Sequence, residues 1–256
     1  MPACMAHYLF GQDVLEKLDS KLRVNVAAHP MEYSIGLQGP DIFFFYKPYR
    51  KTRISEYGVD RHRQTASRMF GPILEKKLHG TALSYLMGLI CHYSLDSSCH
   101  PYVKGNSQDN IDHQYMESAF DKYLMIRRNI KKPRYLLIPD SGLDFVSIAS
   151  LWQEMQPDIV SKCIKSMRFY TRMLEKKKIL IFSETILGKS GMFSSLALPD
   201  NIPKNQLKNE AIRKGTENIR EATIAAGSAM PCPPGFYLNY EGEIPHEQAG
   251  EKLDSL

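Results

Sequence analysis

The chain lacks the features that would carry it into or across a membrane. No stretch approaches the roughly 20 apolar residues needed to span a bilayer; the longest apolar patches run from Ile42 to Tyr46 and from Leu83 to Cys91. The start, MPACMAHYLFGQDVLEKLD, has no basic leader followed by an apolar run and a small-residue cleavage site, so it does not read as a signal peptide. The expected location is cytoplasmic, with peripheral membrane association left open. Cysteine is sparse and odd in number: Cys4, Cys91, Cys99, Cys163 and Cys232 are spread widely, and no pair has CxxC spacing. That pattern excludes a disulfide scaffold and a thiolate zinc knuckle, and most of these residues are expected to be free, buried thiols. Sustained apolar/polar alternation is almost absent, which argues against strands. There is no repeat of 20 to 50 residues and no low-complexity tract.

What is present is ordinary for a globular protein: 256 residues, 43% hydrophobic and 24% charged, enough for a sizeable core. The net charge of +5 is modest, although KPYRKTR (47–53) and RRNIKKPR (127–134) concentrate it locally. These runs read first as solvated loops and second as surfaces that attract phosphate. Apolar residues recur at three-to-four spacing, which predicts an all-α fold with helices near 12–26, 61–78, 80–98, 107–128, 143–155, 157–188 and 204–227. Proline residues, among them Pro30, Pro40 and Pro101, are expected in the loops between them. Residues 1–230 read as one helical domain with its metal-binding part at 6–125, followed by a Pro/Gly-rich tail at 231–256 whose last dozen residues are expected to be flexible.

The stretch GLICHYSLDSSCHPYV, followed by DHQYMESAFDKYL, carries the chemistry. His92, Asp96, His100, His113 and Glu117 fall at spacings of four, four, thirteen and four. Residues four apart share a helix face, so His92 with Asp96, and His113 with Glu117, point at common ions, and His100 adds a ligand at the seam. Imidazole and carboxylate without thiolate suit zinc, with manganese or iron as alternatives, and a site with water positions is hydrolytic. An isolated pair of this kind is more often a helix surface pair. Five such residues within 26 positions, in a helix otherwise apolar around Tyr85 to Ile90, are costly to bury unless they bind metal.

The chain resembles the zinc-dependent phospholipase C family, in its non-secreted bacterial branch, which shares a helical zinc fold with secreted phospholipase C and fungal single-strand nucleases. The resemblance rests on AHYLFG, GPDIFFFY, the His62 segment, HYSLDSSCHPYV and HQYME, over roughly residues 6 to 125. It implies two or three zinc ions: one held by Asp41, His62, His92 and Asp96, a second by His100, His113 and Glu117, and a third by His7 with Asp96 bridging. In the family the N-terminal amine and carbonyl complete the third position. This chain begins differently, with Met1 or Pro2, and Cys4 is a candidate thiolate in their place. The step from Asp96 to His100 is also slightly shorter than in the secreted enzymes.

The activity implied is hydrolysis of a phospholipid or related phosphodiester by metal-activated water, with Asp41 as ligand, general base, or both. Two alternatives stand beside it: a nuclease, for which nucleic acid is the partner, and a zinc-binding scaffold or sensor without turnover. Phe43 to Tyr46, Tyr93 and Tyr102 read chiefly as packing, and secondarily as a cage for a quaternary ammonium head group. His29, His79 and His246 read as loop or surface residues. Asp60 is a candidate partner to orient an imidazole. The basic amphipathic segment 157–188 is expected to pack on the zinc-bearing helices, with Met167, Met173 and Met192 filling that core.

Overall fold

The computed structural model describes residues 4–131, 133–139, 141–175, 217–218, 236 and 238–244. The predicted helix 204–227 (apart from 217–218), the second half of 157–188, Cys232, Met192, His246 and most of the tail lie outside the described residues. Among the described residues every regular element is helical: α1 Cys4–Lys17, α2 Ser20–Ala28, α3 Pro30–Gly36, α4 Arg53–Arg63, α5 Ala66–Leu74, α6 Gly80–Asn106, α7 Asn110–Arg127, α8 Phe145–Ala149 and α9 Pro157–Leu174, with 3₁₀ turns at Gly39–Phe45 and Arg134–Leu137. None of these helices is long and apolar enough to cross a membrane.

α6 is the axis of the molecule. Every residue from Ser84 to Ser97 is buried, as expected of a helix packed on all sides. α3 crosses it so closely that a Cβ on Gly36 would lie 2.3 Å from the Tyr85 carbonyl, and one on Gly88 would lie 2.3 Å from the Tyr33 carbonyl. α1 and α7 pack on other sides of α6, and α9 covers the Gly39–Phe45 turn and α8. α9 buries Val160, Cys163, Ile164, Met167 and Leu174, the packing role foreseen for it. Trp152 completes this side by donating its indole N–H to the Tyr85 hydroxyl at 2.8 Å. Cys4, Cys91 and Cys163 are buried free thiols, and Cys99 is a half-buried one.

Several boundaries differ from the sequence expectation, each for a physical reason. The helix expected at 12–26 starts at Cys4 instead, because its first amides are capped from far away: Met5 and Ala6 donate to the Asp121 carboxylate at 3.2 and 2.7 Å. It then breaks at Asp19, whose backbone is extended. The helix expected at 61–78 is two helices, because Thr65 leaves the helical region and caps α5 by accepting from the Arg68 amide. Thr52 and Ser55 form a reciprocal capping box that opens α4 early. Only five residues of 143–155 are helical, beginning at the Asp144 cap. Prolines expected in loops start α3 and sit inside α6, where Pro101 donates no N–H to the Ser97 carbonyl and the helix still continues to Asn106. The second basic run is not simply solvated: Arg134 is buried 3.4 Å from Asp121.

Candidate metal centre

Five separate elements bring the predicted residues together, and all of them except the fully buried His92 line one cleft. His7 comes from α1, Asp41 from the 3₁₀ turn, His62 from the last turn of α4, His92, Asp96 and His100 from one face of α6, and His113 and Glu117 from α7. Glu117 and Asp121 lie one turn apart on α7, so the helix that offers Glu117 to the cleft also caps α1 and fixes the start of the helix bearing His7.

Three groups of donor atoms are each close enough to share an ion: Asp41, His62 and His92; His7, His92 and Asp96; His100, His113 and Glu117. His62 Nε2 lies 3.0 Å from Asp41 Oδ1. Asp96 reaches three imidazoles, with Oδ2 at 3.0 Å from His92 Nε2 and Oδ1 at 3.2 Å from His7 Nε2 and 3.7 Å from His100 Nε2. Glu117 Oε1 lies 3.1 Å from His113 Nε2 and 3.3 Å from His100 Nε2. Within these tightest groupings Asp96 goes with His7 and His92, while His92 is common to two groups.

The backbone sets the tautomers. His62 Nδ1 donates to the Gly58 carbonyl at 2.7 Å and His92 Nδ1 to the Leu37 carbonyl at 3.1 Å, which leaves both Nε2 atoms bare and aimed at the carboxylates. Gly39 permits the close grip on His92: its φ is +53°, and a Cβ there would lie 2.3 Å from the imidazole Cδ2. His7 and His92 stack with ring centroids 4.1 Å apart.

This donor set fits zinc. Among the described residues His92 Nε2 is buried and makes no hydrogen bond, although Asp96 Oδ2 lies 3.0 Å away. An orphaned imidazole nitrogen among carboxylates is costly unless a cation takes its lone pair. The carboxylates are ionised to receive one: burial pushes Asp96 and Asp41 up, but His92, His100 and His7 around Asp96, and the His62 hydrogen bond together with His92 beside Asp41, hold both below the usual carboxylate range. Cys4 stands apart from these donors. Cys4 is buried, and that burial together with the neighbouring Asp121 pushes its thiol far up; it belongs to none of the three groups.

Burial pulls the His100 imidazole down, yet Asp96, Glu117 and Glu241 outweigh it and raise the group to about 10. In chelator-treated protein the ring is therefore charged through the neutral range, and an ion taken at its Nε2 displaces a proton. The raised value means that this charge stabilises the metal-free fold fully below about 6.5, its ordinary value, and that the contribution is lost as pH rises toward 10. Zinc affinity runs the opposite way. It is expected to strengthen by about tenfold per pH unit for each proton displaced between pH 6 and 8, measurable by chelator competition; an affinity flat across that range would contradict a charged His100.

The cleft has a volume of about 700 Å³, and its walls include Phe44, Val59, Arg63, Lys104, Gln114 and Glu241 besides the candidate ligands. Phe44 is half-buried and stacks on His62, with centroids 5.2 Å apart. Phe43, Phe45 and Tyr93 are core, and Tyr102 is exposed. Asp60 is exposed, and the Gly58 carbonyl takes the orienting role considered for it. Two residues were missed by sequence reasoning. Tyr240 is fully buried, 5.1 Å from His62 and 5.7 Å from His92 by ring centroids, and Glu241 Oε2 lies 3.5 Å from His100 Nδ1. No spacing rule links them to residues more than 120 positions earlier, and they fall in a segment whose composition reads as tail.

The sequence model of a family described as zinc dependent phospholipase C matches residues 6–173. No curated protein and no solved structure matches the chain.

Proposed function

The chain belongs to the zinc-dependent phospholipase C family, and from that premise we propose that it hydrolyses a phosphodiester at the cleft, most readily a phospholipid or a related diester. The observation that carries this reading is the convergence of three histidine and carboxylate groups on one open cleft, with no thiolate among them. His7, Asp41, His62, His92, Asp96, His100, His113 and Glu117 are the proposed ligands of two or three zinc ions. Bound zinc supplies neutralisation of charge at the phosphoryl oxygens and a water whose pKa falls from 15.7 toward about 7. The protein's own groups do the rest. Asp41 is held below the usual carboxylate range beside His62 and His92, which suits it to ligate, to accept a proton from the attacking water, or both. Arg63 on the cleft wall favours entry of a monoanionic diester. Phe44 offers a flat face to the group beyond the phosphate.

Zinc-loaded protein incubated with phosphatidylcholine, phosphatidylethanolamine, a water-soluble glycerophosphodiester and a single-stranded oligonucleotide tests the assignment. Diacylglycerol and a phosphorylated head group are the expected products from at least one lipid, identified by mass spectrometry. Cleavage of the oligonucleotide alone would replace the phospholipase reading with a nuclease. Retention of zinc with no turnover on any of the four would favour a scaffold.

A further inference from the structure

The segment 238–244 lies outside the part of the chain matched by the family model, yet it is built into the metal centre. It docks by two backbone hydrogen bonds: Ala66 donates to the Leu238 carbonyl at 2.8 Å, and Tyr240 donates to the carbonyl of His62 at 3.2 Å. The turn is closed internally, since Asn239 Oδ1 accepts from the amides of Glu241 and Glu243 at 3.0 and 2.9 Å. Its far end rests on the proline step of α6. Gly242, at φ +75°, approaches so closely that a Cβ would lie 2.5 Å from the Ser97 carbonyl and 2.7 Å from Pro101 Cγ. Because Pro101 brings no amide to that carbonyl, the helix surface is open to a close neighbour there.

This docking delivers one side chain to one place. Among the described residues His100 Nδ1 is buried and makes no hydrogen bond, and the acceptor that faces it is Glu241 Oε2 at 3.5 Å. The carboxylate is held from the other side by Lys104 Nζ at 2.9 Å, and Lys104 is itself shared with Glu243 at 3.1 Å. The opposite ring nitrogen, Nε2, is the one that faces Glu117 and Asp96. His62 and His92 have backbone carbonyls on their Nδ1 atoms; among the described residues no carbonyl bonds His100 Nδ1, and the segment supplies a carboxylate in its stead.

We infer that Glu241 is a positioning residue for the second metal position: it takes the His100 Nδ1–H and holds the ring with Nε2 turned toward Glu117 and Asp96. The inference rests on the zinc reading above. A small inward movement of the Glu241 carboxylate closes the 3.5 Å separation to a hydrogen bond, and Lys104 limits its escape toward solvent. Carboxylate partners of this kind tune metal affinity by about 10- to 100-fold.

The test is stepwise zinc removal from the full chain by a graded chelator, combined with long-range ¹⁵N NMR of the histidine rings. Glu241→Ala is expected to weaken one ion by about 100-fold and leave the others unchanged, whereas Glu241→Gln, which keeps an acceptor but not the charge, weakens the same ion by about 10-fold. Glu243→Gln touches Lys104 alone and is expected to be neutral. Gly242→Ala, which displaces the segment without altering Glu241, should reproduce the single-ion loss. Wild-type affinity for every ion in Glu241→Ala, with an unchanged His100 Nδ1 signal, overturns the inference. So does equal loss of all ions accompanied by a lower unfolding temperature of the metal-free protein, which would make the residue merely structural. If the wild type itself takes up no zinc, the metal reading fails separately, and the His100 Nδ1 signal, compared between the wild type and Glu241→Ala, still decides whether Glu241 holds the ring.

Discussion

Replacing His92 with alanine is expected to empty two metal positions at once and to reduce turnover by about 10³-fold or more. His92 is the residue common to two of the three donor groups, one with Asp41 and His62 and the other with His7 and Asp96. Losing several kcal/mol of transition-state stabilisation at a metal site corresponds to that drop, since each 1.36 kcal/mol is tenfold in rate. The effect on the fold adds to it. The ring is fully buried, stacked on His7 and gripped by the Leu37 carbonyl, so truncation leaves a cavity and strips Asp96 of its nearest partner. His113→Ala is the informative companion: it touches only the group with His100 and Glu117, on the rim rather than in the core, and should remove a single ion while leaving the fold intact. Metal content by mass spectrometry on protein purified without added metal, beside turnover on the best substrate, separates the two. Full activity in His92→Ala without zinc would remove the basis for a metal-dependent hydrolase.

The helical class and the closeness of the candidate ligand pairs were legible because both are local. A four-residue step on an apolar helix states its own geometry, and His92 to Asp96 to His100 is such a step repeated. The burial of His92 and Asp96 followed from the apolar run around them, which α6 realises as a helix covered on every side. What depends on distant parts of the chain was not legible. The start of α1 is decided by Asp121, 116 positions away from Met5, so periodicity placed that helix eight residues late. The split at Thr65 is decided by a single side chain that prefers capping to continuing the turn. Glu241 illustrates the limit most sharply: among prolines, glycines and charges it looks like solvated tail, and only the docking of its turn onto Pro101 and the end of α4 gives it a ring nitrogen to face. The resemblance behaved in the same way. It named candidate ligands that local motifs carry, but it did not extend to a segment outside those motifs.

Gly88→Ala should produce a large loss of stability from one added methyl group. In most buried helix positions alanine is the better helix former, and the exchange would favour the helix by up to about 1 kcal/mol. Here the new Cβ would fall 2.3 Å from the Tyr33 carbonyl and 2.9 Å from the Cα and carbonyl carbon of Gly36, all backbone atoms of α3 that no rotamer change can move aside. Relief requires the two helices to part, and overpacking of this kind costs about 3 kcal/mol, or a fall in melting temperature of about 10 °C for a chain of this size. Gly105→Ala, in the same helix with nothing within 4 Å of the added carbon, is the control and should be neutral or slightly stabilising. The loss at Gly88 reaches the metal centre by a short route. His92 is the next turn of α6, and the Leu37 carbonyl that fixes its tautomer follows directly on α3, as does Gly39 against its ring. Parting the helices draws that carbonyl away from Nδ1, so the folded fraction of Gly88→Ala at low temperature should hold the zinc at His92 less tightly while keeping the ion at His113. Thermal unfolding of the metal-free proteins followed by chelator competition on the folded ones measures both effects, and an unchanged melting temperature would mean that α3 and α6 do not meet at this crossing.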